Sequence, residues 1–220
     1  SRSGKSWIEN MLSMHSDIIP ADEIKLDFYK PLNVLDVIHS PQLNQEPELE
    51  DLDIVRARYL SEIEKYAAIK KAKYVVNTLP ANAFYIGYIH RLFPEAQIVY
   101  SQRDPKDIIL FNFFKNYRYD MPYAYNIKNI FRYYNIYRKI MNFWIEKLPD
   151  SIIQYKFEDS VSNPLESFAK LIKFLGIEGD ISDNAKIALQ QKANQYKKTI
   201  GHWKNYAKFL GDIMHKELTI

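Results

Sequence analysis

Ser1-Arg2-Ser3-Gly4-Lys5-Ser6-Trp7 is the stretch on which the expected fold depends. Apolar residues at Ile8, Met11 and Leu12 follow it with helical spacing, so a glycine turn leads directly into a helix. The first N–H groups of a helix have no partner inside the helix, and together with the helix dipole they attract an anion. The lysine and the last serine add a positive charge and a hydroxyl. The sequence therefore predicts an anion site here, with a serine-rich helix cap as the alternative.

Gly4-Lys5-Ser6 has the order in which a phosphate-binding loop ends. The opening glycine of that motif would stand about five residues before Gly4, upstream of Ser1. A phosphate-binding loop also follows a strand, and none precedes Gly4 in this sequence. We therefore expect residues upstream of Ser1, among them the first strand of the sheet.

The composition is that of a soluble globular protein with a sizeable core. The 220 residues are 47% hydrophobic and 26% charged, which suits one domain over residues 1–220. A net charge of +3 is too small to predict a nucleic-acid partner. No apolar run approaches the ~18 residues of a membrane span. We expect a cytoplasmic protein that partners neither nucleic acid nor membrane.

Metal and disulfide sites are not expected. The chain has no cysteine, which excludes disulfides, thiolate ligands and thiol nucleophiles. Its 5 histidines show no ligand spacing on one helix face. We therefore predict that the protein holds no metal.

Predicted strands and helices alternate through most of the chain. Apolar runs predict strands at 73–77, 97–101 and 152–156. Helical spacing predicts helices at 52–71, 82–92, 127–148 and 184–191, with another after Pro105. Strand, turn and helix in this order favour βαβ units, and hence an α/β protein with a parallel sheet.

The helix predicted at 127–148 carries a stripe of aromatic side chains that includes Tyr133, Tyr134 and Tyr137. Helical spacing of this kind is typical of core packing. The alternative is a platform on which RNA bases stack. Packing is the simpler interpretation, because it needs only a neighbouring element that covers the stripe.

Several motifs, in their order along the chain, resemble those of the sulfotransferases. They occupy residues 1–7, 79–87, 93–99, 103–107, 155–159, 163–164, 174–176 and 200–204. The resemblance covers nearly the whole chain. More narrowly, the chain looks like the bacterial members that are often fused to tetratricopeptide repeats and are related to protein-tyrosine sulfotransferases. The resemblance implies an α/β, P-loop-like three-layer fold with a central parallel sheet flanked by helices.

The resemblance also implies a nucleotide-binding transferase. The donor would be 3′-phosphoadenosine 5′-phosphosulfate (PAPS), whose sulfuryl group passes to a hydroxyl acceptor by in-line displacement, without a metal. The acceptor could be a protein tyrosine, a carbohydrate or a small molecule, because the loops that build acceptor pockets vary. The opening loop agrees with such a donor, since phosphosulfate is an anion.

The family binds the donor's phosphosulfate with the opening loop. The matching residues of this chain are Arg2, Ser3, Gly4, Lys5, Ser6 and Trp7. The family usually has Thr-Thr where Lys5-Ser6 stand, so this loop looks more like an ATP-binding loop. Relatives also carry Asp-Lys where Asn77-Thr78 stand, and we expect Lys5 to supply the missing positive charge.

The family binds the donor's 3′-phosphate with an arginine after a strand, and Arg103 stands at that position. The alternative role for Arg103 is an ion pair with Asp104 or Asp107. The family's serine eight residues further on is Phe111 here. Losing that hydrogen bond costs about 1 to 3 kcal/mol unless another group replaces it. The candidates for replacement are Lys115, Lys192 and Lys198. Phe157 lies in another matching motif and is a further donor-site candidate.

The related tyrosine sulfotransferases have a catalytic glutamate shortly after the first helix, and Glu23 stands at that position. A carboxylate there could take the proton of the acceptor. Without the resemblance, Glu23 would be interpreted as a solvated side chain in a loop. Lys5 and Arg2 would stabilise the charge that forms on the leaving phosphate. Other sulfotransferases use histidine as the base, so His15 and His39 are alternatives.

Two other functions fit parts of the sequence. A P-loop kinase or NTPase that uses Mg-ATP agrees with Gly4-Lys5-Ser6, but it needs an acidic metal partner at the end of a strand. Ser101 and Asn77 stand at the ends of two predicted strands instead. A catalytically inactive nucleotide-binding or interaction module agrees with Phe111 and Thr78. Nothing in the sequence predicts an oligomeric state.

Overall fold

The structure is a computed structural model that describes residues 2–21, 23–24, 49–117 and 121–210. The chain divides into two compact units, one of residues 1–15 and 97–220 and the other of residues 16–96. Each unit contains helices and one pair of strands. The single domain expected over the whole chain stays a prediction.

Helices outnumber strands in the described residues. In chain order the elements are α1 (Lys5–Leu12), β1 (Ile18–Pro20), α2 (Leu49–Lys70), β2 (Tyr74–Val76), α3 (Ile86–Leu92), β3 (Ile98–Gln102), α4 (Pro105–Phe114), α5 (Ile127–Lys147), β4 (Ile152–Lys156), α6 (Phe157–Ser162), α7 (Pro164–Phe174), α8 (Asp183–Lys197) and α9 (Ala207–Leu210). Short 3₁₀ helices lie at Pro80–Tyr85, Pro122–Tyr125 and His202–Tyr206.

The unit of residues 16–96 is built on two short parallel strands. β1 pairs with β2 in a register that places Ile19 beside Val75. A small hydrophobic core lies in the same unit, with the buried side chains of Leu52, Tyr85 and Leu92. These residues come from α2, the 3₁₀ turn and α3, so the core joins the three helical segments.

The other unit contains the second pair of strands. β3 and β4 run parallel, and their last residues, Gln102 and Lys156, lie beside each other. Two parallel strands end at the same edge, and that edge is where open α/β sheets bind ligands. Arg103 and Phe157 follow the strands directly, so the fold brings these two residues together.

The turn after β3 shows how the sequence sets up that edge. Asp104 is the N-cap of α4, and its carboxylate accepts a hydrogen bond from the Lys106 N–H at 2.8 Å. Pro105 occupies the first helical position, where its missing N–H costs nothing. The Arg-Asp-Pro sequence therefore stops the strand and starts the helix within three residues.

The predicted alternation of strands and helices is confirmed in outline. The strands expected at 73–77, 97–101 and 152–156 are β2, β3 and β4, and both pairs are parallel. The described part is a mixed α/β protein, mostly helical, with two small parallel sheets. One central sheet in a P-loop-like three-layer fold stays a prediction.

Two predicted helices differ from those observed. The helix expected at 82–92 begins with the 3₁₀ turn at Pro80–Tyr85 and becomes an α-helix only at Ile86. The helix expected at 184–191 extends to Lys197 as α8. Neither glycine nor proline interrupts residues 191–197, so nothing in that stretch ends a helix.

Candidate functional site

The opening loop forms a tight turn at the start of α1. Gly4 is the N-cap residue and has a left-handed backbone with φ of 103°. The Gly4 carbonyl accepts from the Trp7 N–H at 3.0 Å, which starts the helix. Arg2 also has a positive φ, of 62°, a strained conformation for a residue with a side chain. A left-handed turn before a helix aims backbone N–H groups at one point, which suits an anion.

Phe157 closes the space behind this turn. A Cβ atom added to Gly4 would lie 2.5 Å from the Phe157 ring, so the turn and the ring leave no room for a side chain. Trp7 is wholly buried, and its indole N–H donates to the Ser160 hydroxyl at 2.8 Å. Two contacts thus tie the loop to α6. Trp7 and Phe157, both predicted as donor-site residues, lie in the core beneath the loop.

Arg103 is buried directly beside Phe157. Its guanidinium lies between the rings of Phe111 and Phe157, with centroid distances of 4.7 and 4.4 Å. Nη2 donates to the Thr199 carbonyl and hydroxyl, and lies 3.4 Å from the Asp107 carboxylate. Among the described residues, none accepts a hydrogen bond from the buried Nε. The ion pair with Asp107, the alternative to phosphate binding, is therefore present.

The charges around Arg103 are balanced inside the protein. Burial lowers the pKa of Arg103, and the carboxylates of Asp107 and Glu158 oppose that change. An arginine pKa lies so far above neutrality that the side chain stays charged. A permanent cation whose Nε has no acceptor among the described residues is suited to an anion that approaches it.

Asp107 forms hydrogen bonds with the backbone of the segment that follows α8. The carboxylate is fully buried and accepts hydrogen bonds from the N–H groups of Gly201 at 2.8 Å and Trp203 at 3.0 Å. The Trp203 indole donates to Asp104 at 3.2 Å, and the Lys106 ammonium lies 4.1 Å from the Trp203 ring centroid. The motif at residues 200–204 is thus anchored on the first turn of α4. Sequence reasoning assigned no such role to Asp107.

The three lysines that could replace the missing hydrogen bond to the 3′-phosphate all lie in the unit of residues 1–15 and 97–220. Lys192 donates to the Asn10 side chain on α1 at 2.8 Å, and Asn10 also donates to the Ser6 carbonyl at 2.7 Å. Lys115 and Lys198 are exposed at the ends of α4 and α8. The structure therefore connects Lys192 to the helix of the opening loop and shows no such link for the other two.

The candidate bases occupy different surroundings. Glu23 belongs to the unit of residues 16–96, and its side chain is exposed. His15 is buried, and its ring nitrogen lies 3.2 Å from the Glu178 carbonyl. His39 falls outside the described residues. Buried packing of this kind argues for a structural role of His15.

A cleft of about 570 Å³ adjoins the opening loop. Ser3 lines it, as do the end of β3 and five tyrosines: Tyr100, Tyr123, Tyr133, Tyr134 and Tyr137. The rings of Tyr123 and Tyr133 stack face to face, with centroids 4.0 Å apart. The aromatic stripe of α5 therefore packs only in part, and its remaining surface forms the wall of a cleft.

We expect the protein to lose stability as the pH rises above about 10. Burial raises the pKa of Tyr100 to about 12, so the folded phenol keeps its proton where an unfolded chain has already lost it. This stabilisation is complete below pH 10 and is lost as the pH approaches 12, at about 1.4 kcal/mol per pH unit. Urea unfolding at a series of pH values measures the slope. It should be shallower in Tyr100→Phe but not in the exposed control Tyr66→Phe; equal slopes in all three proteins would contradict the assignment.

No helix in the described part of the chain is long and apolar enough to cross a membrane. Within the same residues, no group of three or more acidic or histidine side chains is placed to hold a metal ion.

Comparison with known proteins relates this chain to a family model and to a bacterial protein. Residues 1–183 match the sequence model described as "Sulfotransferase family". A protein of Aquifex aeolicus (strain VF5), itself described as uncharacterised, is 24% identical over 234 aligned positions. That alignment covers 97% of this chain and 30% of the Aquifex protein, so the chain spans less than a third of the relative's length.

Proposed function

This chain belongs to the sulfotransferase family, and from this we propose that it transfers a sulfuryl group from PAPS to a hydroxyl acceptor. The observation that carries the proposal is the Gly4 turn, packed against Phe157 at the start of α1. It supplies backbone donors and the positive end of a helix dipole, and we assign Lys5 and the Ser6 hydroxyl to the same anion. The bridging phosphosulfate of the donor has the charge and the oxygen atoms that such a point binds.

The residues of this unit fit a nucleotide with two anionic groups. The Gly4 turn starts α1 from a left-handed backbone, and Arg103 has a buried Nε without an acceptor among the described residues. We assign the phosphosulfate to Lys5, Ser6 and the start of α1, and the 3′-phosphate to Arg103. The fork of an arginine suits phosphate better than the point charge of a lysine.

The reaction needs little from the protein besides position and charge. The acceptor oxygen forms a bond to sulfur while the bond from sulfur to the bridging phosphate oxygen breaks. The acceptor proton passes to a base, for which Glu23 remains the prediction. Lys5 and Arg2 stabilise the negative charge left on adenosine 3′,5′-bisphosphate. Arg2 is the residue of the opening loop with the strained backbone.

Titration calorimetry with adenosine 3′,5′-bisphosphate, repeated with ATP and Mg²⁺, tests the proposal. We expect binding of the bisphosphate with a Kd of about 1 μM, or −8 kcal/mol, and no binding of Mg-ATP. A preference for Mg-ATP would replace the proposal with a kinase or NTPase. Bisphosphate binding without turnover on any of a panel of phenol, alcohol and sugar acceptors would favour a module without catalysis.

Replacing Lys5 with alanine should lower kcat/KM for sulfuryl transfer by about 10- to 100-fold, because one charge-assisted contact to the phosphosulfate is worth about 1.5 to 3 kcal/mol. Steady-state kinetics with PAPS measures the change. Lys5→Arg should retain most of the activity, and the exposed Lys170→Ala is the matched control. Full turnover and unchanged donor affinity in Lys5→Ala would exclude this role for the lysine.

A further inference from the structure

The segment that carries Glu23 is hydrogen-bonded to the end of β2. β1 and β2 run parallel, and their last residues, Pro20 and Val76, lie beside each other. Ala21 continues this pairing, because its N–H donates to the Val76 carbonyl at 2.9 Å. Glu23 comes shortly after β1, and Asn77 directly follows β2. Both residues therefore belong to the edge where the parallel strands end, which is the edge at which α/β sheets bind ligands.

The Asn77 side chain makes a second link to the same segment. Its amide nitrogen donates to the Ile24 carbonyl at 2.9 Å and to the Tyr59 hydroxyl on α2 at 2.9 Å. Its amide oxygen accepts from the Leu79 N–H at 3.0 Å. Both hydrogens of the amide nitrogen thus have an acceptor, and the oxygen holds the turn that follows β2.

These partners require an amide at this position. A backbone N–H can only donate and a backbone carbonyl can only accept, so the groups of Leu79 and Ile24 fix which end of the side chain faces each of them. An ionised aspartate of the same shape could accept from Leu79, but it has no hydrogen to donate to Ile24. It would place a carboxylate oxygen against a carbonyl oxygen instead. The turn after β2 therefore tolerates either residue, whereas the link to Ile24 needs asparagine.

The two links lie on either side of Glu23. One holds the N–H of Ala21 and the other holds the carbonyl of Ile24, and both come from the consecutive residues Val76 and Asn77. The Glu23 side chain is exposed, and the backbone on both sides of it sets where its carboxylate can reach. A reacting group that is misplaced by about 1 Å can cost a factor of about 100 in rate. Fixing this backbone is therefore a way to hold an exposed base in place.

We propose that Asn77 is a positioning residue for the base of sulfuryl transfer, an inference that rests on the proposed function and on Glu23 as the base. By holding the Ile24 carbonyl, the Asn77 amide fixes the backbone from which the Glu23 carboxylate takes the acceptor proton. The acceptor oxygen forms its bond to sulfur as that proton leaves. The bond from sulfur to the bridging phosphate oxygen breaks, and its electron pair stays on adenosine 3′,5′-bisphosphate.

Asn77→Asp tests this role, because it keeps the shape of the side chain and its acceptor for Leu79 and removes the donated hydrogens. Steady-state kinetics is run at about pH 8, where an aspartate is ionised, with PAPS and the best acceptor of the phenol, alcohol and sugar panel. We expect kcat to fall about 10- to 100-fold. The affinity for the bisphosphate in calorimetry should not change, since the residues assigned to the donor belong to the other unit. Asn142→Asp, the same change at an exposed position of α5, is the matched control.

A double-mutant cycle with Glu23→Gln separates positioning from a structural role. Because both changes remove the same contribution, Asn77→Asp should lower kcat less than about threefold once the carboxylate is gone. A merely structural residue would lower kcat by the same factor in both backgrounds. Tyr59→Phe is a milder variant, which removes one acceptor of the amide and should cost about threefold in kcat only while Glu23 is present. It decides the question if Asn77→Asp does not unfold cooperatively in urea.

The outcomes distinguish this inference from the proposed function. Equal factors in the two backgrounds, or full kcat in Asn77→Asp, would exclude the positioning role and leave sulfuryl transfer standing. Full kcat in Glu23→Gln would exclude it as well, because no base would then stand at that position. A wild-type protein that prefers Mg-ATP, or that turns over no acceptor of the panel, would overturn the proposed function and this inference with it.

Discussion

Asp107→Ala will lower the free energy of unfolding by about 3 to 5 kcal/mol, the cost of breaking a buried ion pair by removing one partner. Asp107 is fully buried and 3.4 Å from Arg103, and it accepts from two backbone N–H groups, those of Gly201 and Trp203. The variant leaves a buried cation and two half-buried backbone donors without this acceptor. Urea unfolding followed by tryptophan fluorescence measures the change.

The same variant should also weaken the binding of adenosine 3′,5′-bisphosphate, because Asp107 holds the turn that contains Thr199 against Arg103. Asp107→Asn keeps one acceptor oxygen and should fall between the wild type and the alanine variant. Asp183 is the control, since its side chain is 96% exposed, and its replacement by alanine should cost less than about 1 kcal/mol. An effect of Asp107→Ala no larger than that of the control would show that the tail is held by other contacts.

Gly4→Ala will reduce the affinity for adenosine 3′,5′-bisphosphate and the rate of sulfuryl transfer by about 100-fold or more. Alanine at φ of 103° is strained, at about 1 to 3 kcal/mol. Its Cβ would also lie 2.5 Å from the Phe157 ring, and relieving such overpacking typically costs a further 1 to 3 kcal/mol. The loop can relax only by moving the backbone donors away from their common point. Calorimetry and steady-state kinetics measure the loss.

Gly176→Ala is the control that separates backbone strain from the steric clash of the new Cβ with Phe157. Gly176 also has a positive φ, of 63°, but a Cβ there would meet no atom within 4 Å. We expect this variant to lose some stability and to bind the bisphosphate normally. If Gly4→Ala behaved in the same way, the opening loop would not be the anion site, and the proposed function would lose its main structural support.

Much of the local structure could be predicted from the sequence. The strands at 73–77, 97–101 and 152–156 were detectable because short apolar runs between turn residues are typical of strands. The Arg-Asp-Pro turn was detectable because Asp is a favoured N-cap and Pro a favoured first helical residue. The extension of α8 to Lys197 was missed, because a polar segment has no apolar period that marks a helix.

The partners of Arg103 could not be predicted to the same degree. Asp107 lies four residues away, so this ion pair is a helix-spacing effect that the sequence does suggest. Thr199 is 96 residues away, and its contact exists only because α8 returns the chain to the edge of β3 and β4. Long-range contacts of this kind have no signature in the residues that make them.

The sequence by itself determined the opening glycine turn, three of the four described strands with the helices between them, and the resemblance to the sulfotransferases, because each of these depends on residues close together in the chain. Only the tertiary structure decided that Phe157 packs on Gly4, that Asp107 anchors the chain after α8, and that part of an aromatic stripe lines a cleft. These features depend on which surfaces meet after folding. The spacing of residues along the chain predicts that an aromatic side chain is covered, but only the packed fold shows whether other protein side chains cover it or a cleft leaves it accessible to a ligand.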